Sequence, residues 1–355
     1  MKTAQQMKRY IKRHPLAAKL SLALVGVIGL QVALATAYLV AFHDPTPREI
    51  PVAIVSADAT VKDSFRDAMK DTFAVREVDS IEAARDELKQ KEIYAIYKPT
   101  PLQSNVVIAT ALDKKIADAA KASMSTFDAQ YQQNVVAMMA KQNPQAPAQA
   151  KAPLVDDAIP LVENDATGSG LFYVAFSFVF GGYLAAVAIS TVRGDSKLTR
   201  RRVLARVAGL TLFSLAGALF VTLIAVHGVK VLPSAVFWAT WGIGALATLG
   251  VSLLASALIS VLGTIGTGLV IILFVILGTP ASGGPLPVLF MDGGIWSWLS
   301  TLLPTGQTME AIRSAAYLEG AGVWWHLLVL AGYVIIGAGV LVLYGMRHRS
   351  FEAIE

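Results

Sequence analysis

The chain has 355 residues, of which 55% are hydrophobic and only 15% charged, far below the roughly 25% charge of soluble domains, so an ordinary soluble globule is excluded. It contains no cysteine, so neither a disulfide framework nor a cysteine-ligated metal site can be built. The formal charge of +5 is gathered beside apolar runs, the pattern of membrane orientation rather than of nucleic-acid binding.

Residues 1–15 are read as a cytoplasmic amphipathic segment; residues 1–19 hold six Lys/Arg and no acid. The first predicted span covers 16–42. Its length of 27 residues exceeds the roughly 7–15 of a signal-peptide core, so it is expected to remain as an anchor. Residues 43–168 follow with fourteen basic and nineteen acidic residues. They read as a folded α/β domain. "PVAIVS" (51–56), "FAVREV" (73–78), "EIYAIY" (92–97) and "NVVIAT" (105–110) have the composition of strands. "TVKDSFRDAMK" (60–70) places Val61, Phe65 and Met69 on one helical face. "SIEAARDELKQ" (80–90) opens with Ser80 as N-cap, and Glu82 and Arg85 lie three apart on it. Residues 113–142 read as one long polar helix, and "QNPQAPAQAKAP" (142–153) as a linker.

Five further apolar segments of near-spanning length cover 170–192, 203–227, 235–262, 263–278 and 323–346. The fourth and fifth spans meet at "GTIGTG" (263–268), where one long buried segment would reduce the count to five. Lys/Arg placement favours six: it puts both termini and the basic stretch 193–206 in the cytoplasm, whereas five spans would put Arg347 and Arg349 outside. The predicted fold is therefore an α-helical polytopic membrane protein with six transmembrane helices and an extracytoplasmic α/β domain, residues 43–168, inserted between the first and second. Residues 169–346 form the five-helix membrane domain, and 347–355 a cytoplasmic tail. The spans are read as free of Asp, Glu and Arg, with Lys19 within a turn of the cytoplasmic end. Ionisable groups at membrane depth mark ion pathways, so a proton- or sodium-driven carrier is not expected.

No GxxxxGK[ST], HExxH or GxSxG motif occurs. The five histidines (14, 43, 227, 326 and 348) have no ligand spacing, and the carboxylates of 43–168 fall where solvated helix faces would put them. No catalytic residue, metal or cofactor is expected on this chain.

Between the last two spans, "TPASGGPLPVLFMDGGIWSWLST" (279–301) is too broken by Gly and Pro to span and too apolar for an ordinary loop. "LLPTGQTMEAIRSAAYLEG" (302–320) follows and reads as a helix. Met309, Ile312 and Ala316 form its apolar face, and Glu310, Arg313 and Ser314 its polar one, with Glu310 able to pair with Arg313 three residues on. Trp296, Trp298, Trp324 and Trp325 bracket the region as interfacial aromatics do. Two short helices dipping into the outer leaflet are expected, in an outer re-entrant segment 279–322. The second is either an interfacial helix with its charges in headgroups or an outer gate held shut by Arg313 and Glu310.

"DPTPREIPVAIVSAD" (44–58), "SIEAARDELKQKEIYAIYKPTP" (80–101) and "LLPTGQTMEAIRSAAYLEG" (302–320), in this order around the spans, resemble the type-2 ABC transporter permeases, most closely the branch containing the YhgE/Pip-type membrane proteins. Ser56-Ala57-Asp58 departs from the Asn-x-Asp that many members have after the first strand. The resemblance implies the membrane subunit of an ATP-driven exporter in a bacterial-type plasma (inner) membrane, moving an amphipathic or lipid-like substrate outward. It implies a second permease protomer in a homo- or heterodimer, and a separate ABC ATPase carrying ATP and Mg. It assigns the loop with Arg193, Asp195, Lys197, Arg200, Arg201 and Arg202 to ATPase docking, with membrane-surface anchoring as the other reading. The segment with Pro304, Glu310, Arg313 and Tyr317 becomes the gate or re-entrant helix. The alternative function is a non-transporting scaffold or receptor, of secretion-system or phage-receptor type, acting through the outer domain.

Overall fold

The computed structural model describes residues 15–43, 45–142, 149, 151–193, 200–291 and 294–347. The amphipathic segment up to residue 14, Asp195, Lys197 and the tail from 348 therefore lie outside the described residues.

Helix α1 (Pro15–Phe42) leads into an α/β unit of β1 (Ile50–Ile54), α2 (Ala59–Met69), β2 (Phe73–Glu77), α3 (Ile81–Lys89), β3 (Ala95–Lys98), β4 (Asn105–Ile108), α4 (Lys114–Gln142) and β5 (Leu154–Asp157). The sheet order is β2-β1-β3-β4-β5. Strand β1 runs parallel to β2 and β3, β3 and β4 are antiparallel, and β4 and β5 are parallel. Alternation along β1 sends Val52 and Ile54 to one face, with Phe65 and Met69 of α2 and Met124 of α4, while Ala53 faces Ala84 and Leu88 of α3. The local signals are capping residues: Asp58 Oδ1 accepts from Thr60 N at 2.8 Å, and Ser80 Oγ from Ala83 N at 3.1 Å. Ser56, where the sequence departs from the Asn-x-Asp pattern, has a local task of its own: its Oγ accepts from Asp58 N at 3.1 Å. Ser80→Ala is expected to lower stability by about 1 kcal/mol, read as a fall in the apparent Tm of the purified protein.

Strand β5 was not expected; residues 154–157 abut the presumed linker. "LVDD" lacks strand alternation, and its pairing depends on side chains from elsewhere. Asp157 accepts from Thr110 N at 3.1 Å and from Thr110 Oγ1 at 2.6 Å. Arg85 bonds Asp156 rather than Glu82.

The remaining helices are α5 (Gly170–Arg193), α6 (Arg200–Leu223, prolonged by a wide turn Ile224–Gly228), α7 (Phe237–Leu262), α8 (Thr264–Ile271, prolonged by a wide turn Ile272–Leu277), α9 (Gly278–Ala281), α10 (Gly294–Ser300), α11 (Pro304–Tyr317) and α12 (Val323–Arg347). Among the described residues six helical stretches are long and apolar enough to cross a membrane: Leu24–Phe42, Gly170–Thr191, Arg201–Gly228, Ser234–Leu262, Thr264–Ala281 and Val323–Met346. The fourth and fifth are separate because Gly263 turns the chain at φ 60° and ψ −134°, a conformation closed to other residues.

Helix α7 is the axis of the bundle, packed by α5, α6 and α12. Half of its span is buried, against 11% for α1, which packs near residues 272–281 and, through Ala41, against Met291, Trp296 and Leu303. Small residues let the helices approach closely: a Cβ on Gly337 of α12 would stand 2.5 Å from Leu254 N of α7.

Arg206 corrects the reading of the spans as free of arginine. It lies in the third span and is buried, and its Nη1 donates to Ser260 Oγ at 2.8 Å. Ser260 belongs to the last turn of α7, at the end of the bundle where α6 begins. The guanidinium is thus held near the helix ends, not at mid-span.

Residues 279–322 belong to two cores at once. Phe290 is buried with Phe65 and Tyr97 of the α/β unit, with Leu286 and Leu289 packed beside it, and Arg48 N donates to Leu289 O at 3.3 Å. Met309 and Ile312 of α11 enter the bundle core, while Leu318 enters the other face of the α/β unit beside Leu88 and Ile159. Trp296 departs from the expected aromatic girdle: it is buried with Ala41 of α1, Ala281 and Leu303, whereas Trp298, Trp324 and Trp325 are exposed.

Candidate functional site

Helix α11 begins at Pro304, whose fixed φ suits a first helical turn, after Leu303 in extended geometry. Thr308 Oγ1 donates back to Pro304 O at 2.6 Å, and Gln307 Nε2 to Ser300 O at 2.7 Å. Gln307 Oε1 lies 2.7 Å from His326 Nδ1 of α12. The helix is held on every side: Pro304, Thr305, Thr308, Ala311, Ile312 and Ser314 are all buried. Its charges are therefore met by protein rather than spread in an open polar face.

Glu310 is the centre. Arg313 Nη1 bonds its Oε1 and Lys91 Nζ bonds its Oε2, so one carboxylate holds two cations from opposite units of the fold. The Arg313 side chain is only 10% exposed. Lys91 follows α3 at φ 61°, a left-handed position where glycine is the usual residue. That conformation costs roughly 1 kcal/mol for a side chain with a Cβ, and the bond to Glu310 offsets it. Burial by itself would raise the Glu310 carboxyl, but Arg313 and Lys91 outweigh it and bring the pKa down to about 2. Burial would likewise lower the Arg313 guanidinium, and the carboxylates of Glu310 and Asp113 more than reverse this. Asp113 goes the other way: burial pushes its carboxyl up against the pull of Arg313 and of two backbone N–H groups, those of Ile116 and Lys115. Tyr94, half-buried beside Glu310, is pushed up to about 12, chiefly by desolvation and then by the Glu310 charge.

Arg313 forms part of the wall of two cavities. One, of about 370 Å3, lies between Thr110, Asp113 and Lys115 of the α/β unit and Phe172 and Tyr173 of α5. The other, of about 340 Å3, lies between Lys91 and Tyr94 and residues Gln307, Trp325 and His326. Among the described residues no group of His, Asp and Glu could hold a metal ion.

The family model of the ABC-2 family transporter proteins matches residues 20–344, nearly the whole chain. The chain belongs to this family. No curated protein and no solved structure matches it. As an ABC-2 transporter the chain is a multi-pass membrane protein, the membrane component of an ABC transporter, and associates with an ABC ATPase; such subunits are generally not catalytic themselves.

In this ABC-2 transporter the four residues singled out at 304–317 all lie on α11. Pro304 opens it, Glu310 and Arg313 pair, and Tyr317 packs half-buried beside both the bundle and the α/β unit. Of the basic loop, Arg193 ends α5 and Arg200 starts α6. Arg201 and Arg202 are exposed, while Asp195 and Lys197 lie outside the described residues. Sequence reasoning missed Lys91, Tyr94 and Asp113. The one local signal was a lysine at the end of α3 where the helix stop calls for glycine.

Proposed function

We propose that this ABC-2 transporter subunit is an exporter permease of the YhgE/Pip-like branch. It moves an amphipathic or lipid-like substrate out of the cytoplasm or inner leaflet of a bacterial-type plasma membrane. The working unit is a dimer, homo- or heteromeric, driven by a partner ATPase that binds ATP and Mg. The α/β unit and α11 lie outside the cytoplasm, and both termini inside. The basic stretch 193–206 supports that orientation and supplies the ATPase-docking loop.

The observation that carries this reading is the Lys91–Glu310–Arg313 clamp. It ties the helix between the last two spans to the α/β unit and stands between two cavities. Helix α11 is thereby an outer gate: opening it requires the clamp to break or to move as one body.

The test is co-reconstitution in proteoliposomes with the ABC ATPases of the same cell, reading ATPase stimulation and substrate flux. Arg313→Ala and Lys91→Gln are expected to lower flux per ATP by about tenfold, the effect of a coupling change near 1.4 kcal/mol. Unchanged coupling in both folded variants would sink the gate. Neither flux nor stimulation with any ATPase would sink the exporter reading and leave the scaffold or receptor.

A further inference from the structure

Resting on the permease reading, we propose that the cavity between the α/β unit and the start of α5 binds an anionic amphiphile as substrate. Its phosphate or carboxylate head lies between Lys115 and Arg313, and its apolar tail along the aromatic rings of α5.

Charge is the first ground. Arg313 is buried, and its Nε finds no hydrogen-bond acceptor among the described residues. A guanidinium N–H left so is costly unless something accepts from it. Lys115 is exposed at the rim, and its ammonium bonds the Pro285 carbonyl. The lining itself carries Lys114, Lys115 and Arg313 against Asp113, an excess of cations, with Asp118 pairing Lys114 and Glu310 pairing Arg313 from behind. An acidic head both matches that excess and supplies the acceptor that Arg313 lacks.

The second ground is the shape of the apolar side. Phe172 and Tyr173 line the cavity. From Phe172 a ladder of rings descends α5 through Phe176, Phe180 and Tyr183, with centroids 5.7, 5.4 and 5.8 Å apart. The last three rings are only half-buried, so the ladder is an accessible track and not a closed core. The eleven helical steps from Phe172 to Tyr183 span about 16 Å, roughly half of a ~30 Å hydrocarbon core. That is the depth of one leaflet, and hence of a lipid tail whose head sits at the cavity. The cavity volume of about 370 Å3 lies in the range of small-molecule sites, roughly 300–1,000 Å3, and fits a headgroup rather than a whole lipid.

The experiment measures equilibrium binding to the purified full chain in a non-ionic detergent, without any ATPase. The probe is a fluorescent short-chain phosphatidic acid, with the phosphatidylcholine of equal tails and inorganic phosphate as comparisons. Phosphatidic acid is expected to bind about tenfold more tightly than phosphatidylcholine, the scale of one charge-assisted hydrogen bond. Lys115→Glu is expected to abolish this preference, and Phe176→Ala to weaken phosphatidic acid severalfold. Millimolar inorganic phosphate is expected not to displace the probe. Equal affinity for the two lipids, or unaltered binding in Lys115→Glu, overturns the proposal. Displacement by inorganic phosphate together with no effect of Phe176→Ala marks a free-anion site and also overturns it. If binding fails while the ATPase is still stimulated in proteoliposomes, only this site falls. If binding holds but no ATPase is ever stimulated, the permease reading falls and the ligand's role as substrate with it.

Discussion

Glu310→Gln is expected to destabilise the protein by about 3 kcal/mol, the scale for removing one member of a buried ion cluster. For a chain of this size that corresponds to roughly 5 °C in apparent Tm. The substitution keeps the side chain's shape but leaves Lys91 and Arg313 facing each other with no anion between them. Adding Arg313→Met is expected to recover about half the loss, because an apolar side chain of similar length carries no charge to compensate. Additive losses in the double variant would show that the two residues do not act as a pair. The pH dependence has a definite sign. The Glu310 carboxyl is lowered from 4.5 to about 2 in the folded state. Its contribution is therefore complete above 4.5 and is lost as pH falls from 4.5 towards 2. Over that interval the apparent Tm of the parent protein should fall more steeply than that of Glu310→Gln. Parallel curves would remove Glu310 from the account of acid stability.

The second large effect is expected at the contact between α7 and α12. Even the Cβ of Gly337→Ala would stand 2.5 Å from Leu254 N and 2.6 Å from Leu253 C. Both are backbone atoms that cannot swing aside, so the two helices must part. Overpacking of this kind costs typically 1–3 kcal/mol, and Gly337→Leu should go further and prevent α12 from docking. Gly339, two residues on, has nothing within 4 Å of its would-be Cβ. Gly339→Ala should be neutral or stabilising by up to about 1 kcal/mol, since alanine is the better helix former. The readout is apparent Tm and the fraction eluting as a monodisperse species from detergent. Equal behaviour of the two alanine variants would contradict the packing described.

The helices were legible because apolar length is a direct physical requirement of spanning, and the break at residues 263–268 because the glycine-rich GTIGTG offers the residue type that φ 60° with ψ −134° requires. Four strands showed in their β-branched and aromatic runs. Strand β5 did not: Asp156 and Asp157 suit a strand only once Arg85 and Thr110 have been brought to them. The Glu310–Arg313 pair was readable from helical spacing, since residues three apart face each other. Lys91 was not, because 219 residues separate it from Glu310 and no periodicity connects them. Arg313 looked like one corner of a polar face. Its burial depends on α11 being enclosed by both units, which no single helix can announce.

The sharing of residues 286–318 between two cores also sets an order in time. The α/β unit leaves the ribosome early, yet Phe290 and Leu318, which complete its two faces, are made more than a hundred residues later. Until four more spans have been inserted, the newborn unit has open apolar patches on both sides of its sheet. It is thus a half-finished piece that matures only when the far end of the chain threads back to it, and synthesis halted short of residue 318 leaves it permanently unsealed.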